Sequence, residues 1–264
     1  MANAILLAEV EKICREVGIF QLQHWQKIGQ SEIVDKGLNQ LVSFVDRESE
    51  QKLMDQLRLL LPESVFIGEE FNPERILGSQ PTWIIDPLDG TTNFLHGLPI
   101  FSISVALWRD GALQLGVVCC PALQESFTAS LGEGAYLNGV RLELNKVIAM
   151  DHSLIATGFP YCEFEKMDAY LALLEALMRG THGLRRMGSA AIDLAYTAAG
   201  RFDGFFEMGL APWDIAAGVL LVQEAGGKVA NFNGENGVLF AKQIVASNPS
   251  IFDHFLAIVR DKLS

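Results

Sequence analysis

Trp83-Ile84-Ile85-Asp86-Pro87-Leu88-Asp89-Gly90-Thr91-Thr92-Asn93-Phe94 is the stretch on which the reading of this chain turns. An apolar run ends at Asp86, a second carboxylate follows at Asp89, and Gly90-Thr91-Thr92 then opens a helix. Carboxylates are hard oxygen ligands suited to Mg²⁺, and N–H groups at a helix start attract phosphate. The spacing predicts a strand that delivers two acids beside a set of backbone donors, the makings of a metal-dependent phosphate site.

Working outward, the residues lay out two differently organised halves. Residues 4–30 carry Ile5, Leu6, Ala8, Val10, Ile13 and Val17 near helical spacing. A second helix is predicted over 46–61, stopped by Pro62. Val65-Phe66-Ile67-Gly68 reads as a strand delivering Glu69 and Glu70, before a loop with Asn72-Pro73 and Gly78. Apolar runs over 101–108 and 112–119 flank Asp110-Gly111, a hairpin signature; 126–130 continues as a strand and Asn138-Gly139 turns. Residues 1–150 are expected to be α+β with a largely antiparallel sheet. Residues 151–264 alternate, with strands at 153–157, 202–207, 229–230 and 244–246 and helices at 168–178, 190–199, 213–224 and 251–262. Gly200 and Gly226-Gly227 close two of those helices and Pro212 opens one. That half is expected to be α/β. With no linker, repeat or low-complexity segment between them, the halves are expected to form one compact unit.

Of the 264 residues, 50% are hydrophobic and 20% charged, an ordinary globular balance. The net charge of −12 repels nucleic acid and anionic membrane, so neither is expected as a direct partner. It still permits an anionic substrate where bound cations reverse the local potential. Cys14, Cys119, Cys120 and Cys162 lack disulfide or zinc spacing, and the adjacent pair should point to opposite faces of a strand. The run Ala4 to Ala8 is too short for a signal core, no segment is long enough to span a membrane, and a soluble cytoplasmic protein is expected.

Glu69, Glu70, Asp86 and Asp89 are all delivered at strand ends, and Asp214 opens a helix after Pro212-Trp213. Individually, Asp89 reads equally as an N-cap and Asp214 as a helix-dipole partner. Converging together they would repel, and a cation resolves the conflict. Two divalent ions about 4 Å apart can activate water and steady a leaving oxygen. The amides of Gly90, Thr91 and Thr92 would hold phosphate. The chain has no Walker-type loop and no kinase signature, which favours hydrolysis over nucleotide-driven transfer.

Gly68-Glu69-Glu70, Asp86-Pro-Leu-Asp-Gly-Thr-Thr-Asn-Phe94 and Trp213-Asp-Ile-Ala-Ala-Gly218 resemble, in order and spacing, the three signature motifs of the inositol monophosphatase family. The resemblance covers essentially the whole chain. It implies a layered αβαβα sugar-phosphatase fold, two or three Mg²⁺ per subunit, lithium sensitivity and commonly a homodimer. Residue by residue, Glu69 resembles a metal ligand that also holds the attacking water, and Asp86 the carboxylate bridging two metals. The Leu88 carbonyl resembles a further ligand; Asp89 and Asp214 resemble ligands of the second metal. Thr91 resembles the hydroxyl that, with Glu69, deprotonates water, and the Gly90 and Thr91 amides would hold phosphate. Glu207 resembles the acid that accepts from substrate hydroxyls. Gly188-Ser189-Ala190 resembles the loop whose backbone donors meet the same sugar face, beside Asp89 and Asp214. Lys36 and Asp46 fall in Lys36-Gly-Leu-Asn-Gln-Leu-Val-Ser-Phe-Val-Asp46, similar to the family's mobile metal-associated loop. Gln40, Ser43 and Leu88 depart from the commoner acid, threonine and isoleucine, and Gln40 bears on a third metal.

The family hydrolyses several phosphate esters. Thr92-Asn93-Phe94 resembles the inositol branch; the adenosine bisphosphate and histidinol phosphate branches more often carry a base there. Glu207 suits a neutral polyol better than a second phosphate, because an acid repels an anion. Myo-inositol 1-phosphate or a related polyol monophosphate is the expected substrate, with fructose 1,6-bisphosphate, or acceptance of both, as the alternative. Some bacterial relatives act as partners of the transcription machinery, so a binding role is a further alternative. His24, His96, His152, His182 and His254 are scattered and read as packing or surface residues, Trp213 as core, and Arg185-Arg186 as solvated, interfacial or substrate-facing.

Overall fold

The computed structural model describes residues 2–28, 33–37, 40–73, 77–144, 147, 149–160 and 164–263, with backbone alone at 2, 33–37, 40–42 and 164. Cys162 and the side chains of Lys36 and Gln40 lie outside the described residues.

Alternation along the strands sorts the chain into layers. Helix α1 (Ala2–His24) leads through a hairpin, β1 (Ile33–Gly37) and β2 (Gln40–Ser43), into α2 (Phe44–Leu60). A seven-stranded sheet follows in chain order: β3 (Val65–Gly68), β4 (Thr82–Asp89), β5 (Ser102–Arg109), β6 (Ala112–Cys120), β7 (Glu125–Ser130), β8 (Gly134–Leu137) and β9 (Val140–Arg141). Only β3 and β4 pair in parallel; the others form an antiparallel meander. Trp83, Ile85, Ile103, Val105, Leu107, Leu115 and Val117 bury one face against Val10, Ile13, Val17, Leu53 and Leu57 of α1 and α2. The intervening residues Ile84, Ala106 and Val118 face the other way. Each of these large side chains contributes roughly 1.5–3 kcal/mol on burial, before conformational entropy is subtracted.

That second face meets α5 (Ala190–Ala198) and α6 (Pro212–Glu224), whose other side packs on a five-stranded sheet. Its order is β11 (Gly183–Arg185), β10 (Leu154–Thr157), β12 (Gly204–Met208), β14 (Gln243–Ser247), β13 (Lys228–Ala230), parallel at β11-β10-β12 and antiparallel beyond. Ala156, Phe205, Ile244 and Ala246 face α5 and α6, whereas Ile155, Phe206, Met208 and Val245 face α4 (Met167–Gly180) and α7 (Pro249–Leu263). The layers therefore run α1/α2, sheet, α5/α6, sheet, α4/α7, the αβαβα order expected from the motifs. Among the described residues, no helix is long and apolar enough to cross a membrane.

Cys119 and Cys120 do point to opposite faces, one toward α1 and one toward the middle helices, and Cys14, Cys119 and Cys120 are buried free thiols. The first helix is shorter than its spacing predicts. It ends at His24, and Gln26 adopts φ 63°, which turns the chain so that the Trp25 ring lies 5.7 Å from Phe101. The apolar residues after His24 serve that satellite cluster instead of prolonging the helix. The β1–β2 hairpin and the short strands β8, β9 and β11 were not visible in the sequence pattern. They are brief or edge pairings, with too few residues to establish a period of two.

The closeness of α5 and α6 depends on Gly218, where an added Cβ would lie 2.5 Å from Leu194 Cβ. Gly218→Val is expected to cost about 1–3 kcal/mol by overpacking, read as a lower denaturant midpoint at unchanged slope.

Candidate functional site

Strand alternation decides where the acids go. Asp86 follows Ile84 on the β4 face turned toward the middle helices, and Glu207 follows Phe205 on the corresponding face of β12. Pro87 lacks an N–H, so the ladder slips between Asp86 and Asp89. The Gln21 amide of α1 donates to the Pro87 carbonyl at 2.6 Å, and the Leu88 N–H turns back to Asp86 Oδ1 at 2.9 Å. Gly90 then adopts φ 92°, and an added Cβ would sit 2.8 Å from the Ile100 carbonyl. A short helix, α3 (Thr91–Leu95), follows.

Asp89 is held from the second half of the chain. Ser189 Oγ donates to its Oδ2 at 2.6 Å and the Ala191 N–H donates at 2.8 Å. Ser189 also N-caps α5 by accepting from Ile192 N. Its hydroxyl and the adjoining amides are thus aimed at Asp89. Asn93 strengthens the same seam, its amide donating to the Ile100 carbonyl at 2.7 Å and to Met187 at 2.9 Å. Asp214 sits in the first turn of α6 and accepts from Ala211 N at 2.7 Å, while Ser104 Oγ ties β5 to the Trp213 carbonyl at 3.1 Å.

The acids share one electrostatic neighbourhood. Burial first, then the charges of Glu69, Asp89 and Asp214, push Asp86 well above the usual carboxylate range. Burial raises Asp89 to about 6, against the pull of its Ser189 and backbone bonds. Asp214 is raised by burial and by Asp89, and Glu207 is raised to about 8 by burial and then by Asp89, with Arg186 opposing. Among the described residues, no three His, Cys, Asp or Glu groups already stand together as an ion cage. Asp86, Asp89 and Asp214 each accept from a backbone or hydroxyl donor, and Asp86 and Asp214 also share a side-chain hydrogen bond. The donor set is nonetheless all hard oxygen, and a divalent cation is the chemistry that would relieve its mutual repulsion.

Three acids support the site; Glu50 and Asp193 were not singled out by the sequence patterns, and Asp46 was placed there only in the metal-associated loop. Asp46 lies in the first turn of α2 and is buried, where the Ser43 N–H and hydroxyl donate to it at 2.8 and 2.7 Å. Thr91 Oγ1 lies 3.0 Å from Asp46 Oδ1 and 2.9 Å from the Leu88 carbonyl, two acceptors for one proton. Glu50 is fully buried and accepts from Glu70 N at 2.8 Å and Phe71 N at 3.2 Å, capping the turn that carries Glu69. Gly68 leaves room for it, since a Cβ there would lie 2.1 Å from Glu50 Oε1. Asp193 of α5 is buried with neither oxygen hydrogen-bonded, and it faces Glu207, Asp89 and Arg186. That it is the one charged residue of helix Ala190–Ala198 was the available signal for it. Arg186 stacks over Phe159 at 5.1 Å, and Arg185 is exposed. His24 packs between Phe20 and Phe44, in keeping with a packing role.

A family model described as the inositol monophosphatase family matches residues 6–264. The Nus factor SuhB of Escherichia coli K12 is 41% identical over 253 residues, covering 96% of this chain and 95% of that protein. The extragenic suppressor protein suhB of Bartonella henselae superposes with a TM-score of 0.92 at 37% identity, over 98% of this chain and 100% of that one. The inositol monophosphatase of Anabaena (Nostoc) gives 0.88 at 32% identity, over 99% and 98%.

Asp193 yields a pH test. Its folded-state pKa is raised above the unfolded value, so the stability it contributes is complete in acid and is lost as pH rises through the raised value. Asp193→Asn has no such proton to lose. Its denaturant midpoint, measured in EDTA, should therefore gain on wild type as pH rises from acid to alkaline; a constant gap between the two would exclude Asp193 as the titrating group.

Proposed function

The chain belongs to the inositol monophosphatase family, and on that premise we propose that it is a Mg²⁺-dependent phosphatase of myo-inositol 1-phosphate or a related polyol monophosphate. The observation that carries the reading is the meeting of acids from three distant motifs, with Asp89 anchored by Ser189 and Ala191 across the chain, Asp86 raised by burial and by Glu69, Asp89 and Asp214, and Asp214 raised by burial and by Asp89. Glu69, Asp86, the Leu88 carbonyl, Asp89 and Asp214 would hold two Mg²⁺. Bound there, Mg²⁺ supplies charge neutralisation for the phosphate and a lowered pKa for water.

The chain's own groups divide the remaining work. The Gly90 and Thr91 amides, which lack intrahelical acceptors at a helix start, hold phosphate oxygens. Thr91 and Glu69 orient the attacking water and take its proton. Asp46 makes Thr91 fit for this role: when the Leu88 carbonyl serves a cation, the Thr91 proton has Asp46 as its acceptor, and the hydroxyl is fixed in one rotamer. Glu207 accepts from the polyol hydroxyls, near the Gly188-Ser189-Ala190 corner. A neutral polyol suits an acid there better than a second phosphate does, which places fructose 1,6-bisphosphate second.

A binding role is proposed alongside catalysis, because the relatives of high identity and nearly full coverage include a protein named as a Nus factor. On that reading this chain also contacts the transcription machinery, and RNA polymerase should be recovered with the tagged protein even when Asp86 is Asn.

Phosphate release should be measured in Mg²⁺ from inositol 1-phosphate, fructose 1,6-bisphosphate, 3′-phosphoadenosine 5′-phosphate and histidinol phosphate. The inositol ester should dominate, and Asp86→Asn should cost several kcal/mol of transition-state stabilisation, on the order of a thousandfold. Near-normal activity in that variant would sink the metal assignment; dominance of another ester would move the substrate alone. Asp46→Asn should lower kcat by about a hundredfold with KM nearly unchanged; a change confined to KM would remove Asp46 from the support of Thr91.

A further inference from the structure

The Glu207 carboxylate lies against a glycine with no conformational need to be one. Gly158 follows directly on β10, and its backbone is outside the left-handed region, so an L residue could adopt it without strain. The demand is spatial: a Cβ at 158 would lie 1.8 Å from Glu207 Oε1, 1.9 Å from Cδ and 2.3 Å from Oε2. All three atoms of the carboxylate would be displaced together, so no rotation about the last bond of Glu207 relieves the clash. The glycine itself cannot retreat. Tyr170 Oη of α4 donates to the Gly158 carbonyl at 2.5 Å, the Thr157 hydroxyl lies 3.1 Å from that carbonyl, and the two hydroxyls are 3.1 Å apart. Tyr170 and Thr157 are both buried, Tyr170 within the core formed with α7.

We propose that Gly158 is a specificity-determining positioning residue, whose bare Cα lets Glu207 lie across the end of β10 where it reads the hydroxyls of a neutral polyol. This rests on the assignment of Glu207 to the polyol given above. Hydrogen bonds to hydroxyls tolerate only a few tenths of an ångström. A carboxylate pushed aside by a methyl group would therefore lose its polyol contacts, leaving Asp86, Asp89 and Asp214 untouched. Gly158 acts on which ester is chosen, and Tyr170 and Thr157 set how firmly.

The test compares kcat/KM for inositol 1-phosphate with that for p-nitrophenyl phosphate, which has the phosphate but no polyol. Gly158→Ala should lower the ratio of the two by about tenfold to a hundredfold, with the Mg²⁺ concentration for half-activation unchanged. Glu207→Asp withdraws the carboxylate by one methylene, so Gly158→Ala combined with Glu207→Asp should lose less than the product of the single losses. Tyr170→Phe keeps the ring and removes only the anchoring hydroxyl; it should lower the same ratio severalfold, and it serves if Gly158→Ala does not fold. An equal fall for both esters, an unchanged ratio, or strictly multiplicative losses in the double variant would overturn the proposal. Glu207→Ala separates the two readings. If it leaves the ratio unchanged, or if wild type hydrolyses neither ester, the polyol assignment fails and this inference with it; if it lowers the ratio while Gly158→Ala does not, only this inference fails.

Discussion

The Asp89 carboxylate, gripped by the Ser189 hydroxyl and the Ala191 amide, is the contact on which the two sheets are brought into working relation. It joins the last residue of β4 to the first turn of α5, one hundred residues away in the chain for Ser189. The apolar core holds the layers together, and this contact fixes Asp89 against the start of α5 within them. Asn93 and Ser104 reinforce the seam from either side, by bonding to the carbonyls of Met187 and Trp213. Hydrogen bonds to a charged group are worth about 1.5–3 kcal/mol each, enough to hold a carboxylate where neighbouring charges would drive it out.

The middle helices make that arrangement sustainable. Their flanks are largely apolar, with Ile192, Leu194, Ile215, Val219, Leu220 and Leu221 filling the space between the sheets. Their N-termini, carrying partial positive charge, open on the acids. The apolar layer supplies stability, and the helix starts moderate the repulsion among Asp86, Asp89 and Asp214. Burial is the first cause of the raised carboxyls Asp86, Asp89 and Asp214; neighbouring charge comes second at Asp86 and Asp214, whereas at Asp89 the Ser189 and backbone hydrogen bonds oppose the rise. A divalent cation is the chemistry that would offset both costs.

Supporting residues show a consistent logic of occupancy. Asp46 and Glu50, both on α2, accept from backbone or hydroxyl donors, three at Asp46 and Glu70 N and Phe71 N at Glu50, and each stands behind an expected site residue, Thr91 and Glu69. Gly68 and Gly158 provide the volume into which Glu50 and Glu207 fit. Asp193 is the exception: it is buried beside Glu207 and Asp89 with no hydrogen bond to either oxygen.

Part of Trp83–Phe94 was legible in the residues themselves, its apolar run as strand and Gly90-Thr91-Thr92 as the start of α3, whereas the strand's continuation to Asp89 and the slip of its ladder at Pro87 emerged only in the structure. Alternation likewise separated the faces of Cys119 and Cys120, and the two styles of element order announced two kinds of sheet. Periodicity overran at α1, since the apolar residues beyond His24 serve a cluster with Phe101 that no local window contains. The partners of each acid were equally beyond local reading, because the bonds from Ser189 to Asp89, Thr91 to Asp46 and Tyr170 to Gly158 span separations that only packing closes. Sequence by itself determined which residues carry charge, which face each strand residue takes and where the turns fall, since these follow from covalent geometry and neighbouring residues. Only the tertiary structure decided which carboxylates share a site and which glycines exist to make room for them, since both depend on distances between atoms that are remote along the chain.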